Sequence, residues 1–272
     1  MNPILQIQPD EPLIMGILNI TPDSFSDGNQ YNNVNKAFLR AQAMQMAGVD
    51  IIDIGGESTR PNAAEVGVEE EIDRVIPIIE QVKTLGIPIS IDTSKARVMQ
   101  AAVDAGAEMI NDVRALREEN ALKTAAKLKV PVCLMHMQGQ PRVMQKAPKY
   151  ANVVKEVMSF LQQRVKACEN AGIERELICL DPGFGFGKNL RHNLELLDQL
   201  EQFVALDFPI LAGLSRKSML GLITDKPVEK RLPASLAVAQ IAMQKGAKII
   251  RVHDVDETND IRRVFMAMKK LR

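Results

Sequence analysis

Short apolar runs alternate along the chain with longer amphipathic stretches. Eight such runs occur between residues 12 and 255, each ending in a polar or glycine-rich turn: PLIMGILNI, VDIIDIGG, IPISIDT, AEMINDV, VPVCLMHM, LICLDPG, PILAGLS and AKIIRVHDV. Several of these runs alternate too little between apolar and polar residues for a sheet with one solvent-exposed face. Such runs are typical of parallel strands that are covered on both faces. The pattern therefore predicts eight buried parallel strands.

The intervening stretches have the apolar period of helices. NVVKEVMSFLQQRVKACENAG gathers four apolar residues on one helical face, Val154, Val157, Leu161 and Val165. EEIDRVIPIIEQVKTLG has the same spacing, although its Pro77 is expected to kink or end one turn. Glycines stand where helices should end before the next strand, at Gly48, Gly86, Gly106, Gly172 and Gly246.

Eight strands alternating with helices predict an α/β protein with a single (β/α)₈ TIM barrel. The length of 272 residues suits one such barrel, and no linker or low-complexity stretch divides the chain. We therefore expect one domain over residues 1–272. An open, doubly wound parallel sheet is the alternative.

Every predicted strand ends in a side chain that can hydrogen-bond or carry charge. In a barrel these ends meet at one mouth, where active sites of this fold lie. The residues at the eight ends are Asn19, Asp53, Asp92, Asn111 with Asp112, His136, Asp181, Ser215 with Arg216 and Lys217, and Arg251 with His253. We interpret this set as a binding site rather than as ordinary surface polarity.

The types of these side chains suggest a ligand with two parts. A buried Asp beside Asn111 and Lys217 can pair with the edge of a flat heterocycle such as a pterin or a guanine. Arg251, His253 and Arg60 are suitable donors for an anion, because arginine matches phosphate with its planar fork. The residues by themselves do not define a reaction.

Composition excludes several classes of protein. The 34 basic and 34 acidic residues cancel, which argues against a nucleic-acid or anionic-membrane partner. The three cysteines have no CxxC spacing and are expected to be reduced thiols in the core. Neither a membrane span nor a signal peptide is evident. A cytoplasmic protein is expected.

The run DPGFGFGKN, residues 181–189, matches no nucleotide motif. Pro182 stands where a P-loop needs glycine, and the alternating glycines do not fit the dinucleotide fingerprint. Lys188 is expected to be solvated rather than catalytic. We expect His136 to be structural and His192 to lie on a surface helix. Two further carboxylates, Asp53 and Glu57, either hold the loop after strand 2 or have a direct role in the site.

Eight ordered segments carry a resemblance to a known family. They are NITPDSFSDG, DIGGESTRP, IDTSK, MINDV, LMHMQGQPRVMQ, LDPGFGFGKN, GLSRKSMLG and IIRVHDV, and they resemble the signature segments of the dihydropteroate synthases from about residue 13 to about residue 258. The resemblance implies a TIM barrel. It also implies the condensation of p-aminobenzoate with 6-hydroxymethyl-7,8-dihydropterin diphosphate, giving 7,8-dihydropteroate and diphosphate by an SN1-like path.

The resemblance also implies roles for residues. Those expected to bind the pterin are Asp92, Asn111, Asp181, Lys217, Met135, Phe186 and Gly213. Those expected to hold the diphosphate are Asn19, Thr59, Arg251 and His253, with Asn19 touching a bound Mg²⁺. Those expected at the p-aminobenzoate site and its loops are Phe25, Arg60, Pro61, Ser218 and Lys217. Catalysis would fall to Asp92, Lys217, Arg251 and His253.

The family resemblance further implies a homodimer, with the C-terminal helices as a possible interface, and a target of sulfonamides. Asn29 and Asn62 stand where the family usually has glycine, which puts the ordering of the two loops in question. Two alternatives are retained: a corrinoid-dependent methyltetrahydrofolate methyltransferase and a pterin-binding protein without activity.

Overall fold

The computed structural model describes residues 11–20, 30–58, 66–139 and 148–271. Eight parallel strands form one sheet in the order β6-β5-β4-β3-β2-β1-β8-β7. The strands are β1 Leu13–Asn19, β2 Ile51–Gly55, β3 Ile89–Asp92, β4 Met109–Asp112, β5 Val132–Met135, β6 Ile178–Asp181, β7 Leu211–Ala212 and β8 Ile249–Val252. A parallel bridge between Leu180 and Ile210 joins the two ends of the sheet. The barrel is thus closed, which confirms the (β/α)₈ prediction over the open sheet.

Helices follow the strands and cover the outside of the barrel. They are α1 Gln30–Met46, α2 Val68–Val82, α3 Ala96–Ala105, α4 Ala121–Leu128, α5 Val153–Asn170, α6 Leu190–Asp198, α7 Leu200–Val204, α8 Ser218–Thr224, α9 Leu232–Gln244 and α10 Val255–Lys269. The five glycines predicted to end helices all have positive φ. The described part of the chain contains no helix that is long and apolar enough to cross a membrane.

Pro77 does not end the helix, because α2 continues through it from Val68 to Val82. Proline removes one backbone donor from a helix. The apolar face of α2 stays buried on the barrel through Val75, Ile78 and Ile79. Since tertiary packing supplies most helix stability, this burial offsets the missing hydrogen bond.

The barrel interior is packed in layers by residues from alternate positions of the strands. One buried apolar cluster contains Leu13, Met15, Ile51, Met109, Cys133, Cys179, Leu211 and Ile249. The outward positions pack with the helices in a larger core. Cys133, Cys168 and Cys179 are free and buried, which confirms the prediction of core thiols.

The polar site lies one step along the same inward faces. On four strands, the residue two positions after a member of the apolar cluster is polar: Asp53 follows Ile51, Asn111 follows Met109, Asp181 follows Cys179 and Arg251 follows Ile249. Because strand side chains alternate with period two, each polar group points into the barrel above the apolar layer. The strand ends thus change from apolar to polar at one level, which forms the floor of the mouth.

Candidate active site

Arg251 connects three strands at the floor of the mouth. Its Nε donates to Asp53 Oδ2 at 2.6 Å, and its Nη2 donates to Asp92 Oδ2 at 2.7 Å. Asn111 Nδ2 also donates to Asp53 Oδ2, at 3.1 Å. Asp53 is fully buried, and its other oxygen has no hydrogen-bond partner in the ranges described. Asp53 therefore orients both Arg251 and Asn111.

Burial and ion pairing oppose each other in this cluster. Burial raises the pKa of Asp92 to about 7, with Arg251 opposing the shift and Asp53 adding to it. Burial also works against the charge of Arg251, but Asp53 and Asp92 outweigh it and raise the pKa of the guanidinium. Two buried carboxylates share one cation, and Asp92 can change protonation near neutral pH.

A second wall of the mouth combines a carboxylate, an ammonium and an aromatic ring. Asp181 is buried, and its Oδ1 accepts a hydrogen bond from Gly183 N at 2.7 Å. Lys217 Nζ lies 4.1 Å from the centre of the Phe186 ring, a cation–π contact. Burial lowers the pKa of Lys217 to about 8, while Asp181 raises it. Phe186 also packs on an apolar cluster that includes Met135.

Ser215 orients His253 at the ends of β7 and β8. Ser215 Oγ lies 3.0 Å from His253 Nδ1 and accepts from the backbone N–H of His253 at 3.3 Å. The hydroxyl proton is then available to Nδ1, which leaves the ring proton on Nε2. Burial lowers the pKa of His253 to about 4, with Arg251 adding to the shift. His253 is thus a neutral donor at physiological pH.

Other predicted site residues lie around these groups. Asn19 ends β1, and Gly213 follows β7, where an added Cβ would meet only Leu211, at 4.0 Å. Ser218 is exposed at the first position of α8. Four predicted residues, Phe25, Thr59, Arg60 and Pro61, lie outside the described residues, as do Asn29 and Asn62.

The expectation that Lys188 is solvated was wrong. Its side chain is 2% exposed, and its Nζ lies 2.9 Å from His136 Nδ1. His136 is also buried, and its ring packs edge-on against Phe160. Burial lowers the pKa of His136 to about 2, with Lys188 adding to the shift. His136 is therefore a neutral structural residue, as predicted. His192 lies at the start of α6 and caps it.

Sequence reasoning also missed a partly buried ion cluster that involves the end of β2. Lys95 Nζ contacts Glu57 Oε2 at 2.5 Å and also contacts Glu71, which is fully buried. Glu57 Oε1 accepts from Val66 N at 3.3 Å. Glu57 thus ties residue 66 to the end of β2, in agreement with a loop-holding role. The IDTSK segment contains Lys95, but only the fold brings it to these carboxylates.

Comparison with known proteins agrees with this geometry. The model of the pterin binding enzyme family matches residues 15–253. A dihydropteroate synthase from Haemophilus influenzae is 55% identical over 94% of both chains. The structure of Yersinia pestis dihydropteroate synthase with a sulfonamide drug complex has a TM-score of 0.93, 49% identity, and coverage of 97% of this chain and 96% of that one. Xanthomonas albilineans dihydropteroate synthase with 4-aminobenzoic acid has a TM-score of 0.90, 49% identity, and coverage of 96% and 94%, respectively.

The chain belongs to the pterin binding enzyme family. Within that family it groups with the dihydropteroate synthases, so the predicted activity and its class, a transferase, are confirmed. Neither the methyltransferase nor the inactive binding protein is favoured by any of these relatives.

Proposed function

We propose that the mouth of this barrel joins p-aminobenzoate to 6-hydroxymethyl-7,8-dihydropterin diphosphate and releases diphosphate. The observation that carries this proposal is the arrangement of Asp92, Asn111, Asp181 and Lys217 around one opening, with Arg251 linking Asp92 to Asp53. The Xanthomonas relative, whose structure contains 4-aminobenzoic acid, supports the second substrate.

The pterin occupies the side of the mouth near Asp181 and Lys217. The carboxylate of Asp181 already accepts from Gly183 N, and its remaining acceptor capacity can pair with the N–H groups of an aminopyrimidinone edge. Phe186 and Met135 form an apolar wall for the flat ring. Gly213 leaves space on the other side, since a Cβ there would approach only one side-chain atom.

The diphosphate lies toward Arg251 and His253. Arg251 uses two of its five N–H groups on carboxylates, which leaves three for an anion. His253 offers its Nε2–H as a neutral donor because Ser215 occupies Nδ1. Both groups hydrogen-bond to oxygens that gain charge as the leaving group departs. Thr59 would join them from the second loop.

We expect Mg²⁺ to enter this site together with the substrate diphosphate. The described residues contain no cluster of three or more His, Cys, Asp or Glu side chains that could hold a metal. Asn19 offers one amide oxygen, whereas Mg²⁺ takes six ligands and is often bound through substrate phosphates and waters. When bound, Mg²⁺ supplies charge neutralisation to the diphosphate.

An ionisation-first path agrees with the charges of the mouth. The bond between the pterin methylene and the diphosphate oxygen breaks, and its electron pair leaves with the diphosphate. The resulting cation is delocalised into the dihydropterin ring, where ionised Asp92 stabilises it. The amine of p-aminobenzoate then attacks the methylene carbon and loses a proton to solvent. Positioning of this weak base matters more than its deprotonation. Ser218 and Lys217, with Phe25, Arg60 and Pro61, would hold it.

A coupled assay of diphosphate release tests the proposal. It is run with Mg²⁺, with and without p-aminobenzoate, on the wild type, Asp181→Asn and Lys217→Ala. Formation of dihydropteroate by the wild type, with loss in both variants, is expected. Diphosphate release without any adduct would contradict the p-aminobenzoate site. Pterin binding without turnover would contradict the synthase assignment for this chain.

The predicted homodimer and cytoplasmic location belong to the same proposal. Apolar side chains are exposed on the C-terminal helices at Leu222, Val264 and Met268. We expect Val264→Asp to weaken the dimer in light scattering, whereas Leu39→Asp on α1, which is matched in exposure, should not.

A further inference from the structure

The turn at residues 183–187 approaches the end of β5 so closely that it needs glycine. Gly183 and Gly187 have φ of 71° and 61°. A Cβ on Gly183 would lie 1.9 Å from the carbonyl oxygen of His136, and one on Gly187 would lie 2.4 Å from that of Gln138. Such backbone packing brings carbonyl groups together in a buried place, where each needs a donor.

Lys188 supplies those donors. Its Nζ donates to the carbonyl oxygens of Gly183 at 2.9 Å and Phe186 at 3.0 Å, and it lies 3.3 Å from that of His136. His136 Nδ1, at 2.9 Å, is a fourth neighbour and accepts when the ring proton is on Nε2. From the outer side, Tyr150 Oη donates to the carbonyl oxygen of Gly187 at 2.8 Å. Three carbonyl groups of one short turn are therefore held by two side chains.

The surroundings of Lys188 Nζ favour the ammonium form. Burial lowers the pKa of Lys188 to about 7, while Asp181 opposes the shift and Lys217 adds to it. Three of the four hydrogen-bonding neighbours of Nζ are carbonyl oxygens, which can only accept, and a neutral amine has only two hydrogens to donate to them. Hydrogen bonding to the charged form counteracts the desolvation.

The turn held in this way carries the pterin-binding groups. It begins at Asp181, whose Oδ1 accepts from Gly183 N, and it contains Phe186, whose ring lies under Lys217 Nζ. A shift of the turn would move the carboxylate and the ring together. Lys188 does not need to touch the substrate to affect its binding.

We propose that Lys188, assisted by Tyr150, is a positioning residue that holds the 183–187 turn so that Asp181 and Phe186 face the pterin. This inference rests on the proposed pterin subsite. It predicts separate effects on the two substrates, because neither Lys188 nor Tyr150 has a role in holding p-aminobenzoate.

The test compares binding of 6-hydroxymethylpterin, which lacks the leaving group, with the KM for p-aminobenzoate. Lys188→Met should raise the Kd of the pterin and the KM of the pterin diphosphate about 10- to 100-fold, because ångström-scale misplacement has effects of this size. The KM for p-aminobenzoate should change less than about twofold. Lys166→Met on the exposed face of α5 is the matched control and should leave both constants unchanged.

A double-mutant cycle separates positioning from a general loss of structure. In a Phe186→Ala background, Lys188→Met should weaken pterin binding about threefold or less, since residues acting through a shared element are not additive. Equal effects in both backgrounds would overturn the proposal. A parallel weakening of both substrates with a lower melting temperature would also overturn it.

Tyr150→Phe keeps the ring and removes one hydrogen bond, so it serves where Lys188→Met does not fold. It should weaken pterin binding about two- to threefold without affecting the KM for p-aminobenzoate. The proposal is overturned if Tyr150→Phe leaves the pterin Kd unchanged and Lys188→Met either does not fold or also leaves the pterin Kd unchanged. Asp181→Asn identifies the other failure: if it leaves pterin binding intact, the pterin subsite itself is misassigned.

Discussion

Asp53 allows the sharpest test of the arrangement at the mouth, because it touches two site residues and is itself buried. Asp53→Asn keeps the shape of the side chain but removes the charge that faces Arg251 Nε at 2.6 Å. An amide group cannot accept equally well from both Arg251 and Asn111. Hydrogen bonds to charged groups contribute about 1.5–3 kcal/mol. Because Asp92 still pairs with Arg251 and the desolvation of one carboxylate is relieved, we expect a net destabilisation of about 1–2 kcal/mol.

The effect on catalysis should exceed the effect on stability. If Arg251 and Asn111 move by about 1 Å, kcat/KM should fall roughly 100-fold. Asp50→Asn is the matched control, because Asp50 accepts from Ile14 N and Arg262 just before β2, at the opposite end of the barrel. It should lower the melting temperature and leave kcat/KM within about twofold. A kcat/KM for Asp53→Asn within about threefold of the wild type would refute the organising role of Asp53.

Three further outcomes follow from the same geometry. The value of kcat/KM should rise with pH through about 7, as Asp92 ionises, and fall above about 8, as Lys217 loses its proton. Lys217→Arg should move this fall to higher pH. Gly183→Ala should abolish pterin binding and should lower the free energy of unfolding, measured by chemical denaturation, more than Gly86→Ala does. The two glycines have similar φ values, but of the two only an alanine at position 183 would clash. Chelation of Mg²⁺ should stop diphosphate release, and Asn19→Ala should raise the Mg²⁺ concentration needed to restore it.

The predictable part of the site is the part that follows from strand periodicity. A buried run that ends in a polar residue places that residue at the mouth, which is why Asp92, Asn111 and Asp181 lie at the same end of the barrel. The inward layer beneath them comes from the same alternation. What periodicity does not reveal is the pairing across strands. Arg251 lies on β8 and reaches past β1 to Asp53 on β2, and that reach depends on the register of the closed barrel.

Lys188 shows why the rest of the site was not predictable. A lysine after a glycine-rich turn is ordinarily solvated, because burying an unpaired ammonium is costly. Here the fold provides the missing partners from a different strand, since the residues after β5 and the turn after β6 bring their carbonyl groups to the same point. The sequence signal was present in the glycines rather than in the lysine. Their positive φ values allow the close approach that buries the ammonium.

The charges at the mouth explain why the reaction needs more than the groups on the strands. The groups in and directly behind the proposed substrate site include three carboxylates, Asp53, Asp92 and Asp181, and three cations, Arg251, Lys217 and Lys188, with His253 neutral. They cancel, so an incoming diphosphate would meet little net attraction. We infer that Arg60 and a Mg²⁺ carried by the substrate supply the balance. Once diphosphate leaves, the same carboxylates face a cationic pterin. The cations of the mouth thus act on the diphosphate during binding, and its carboxylates act on the pterin cation after ionisation.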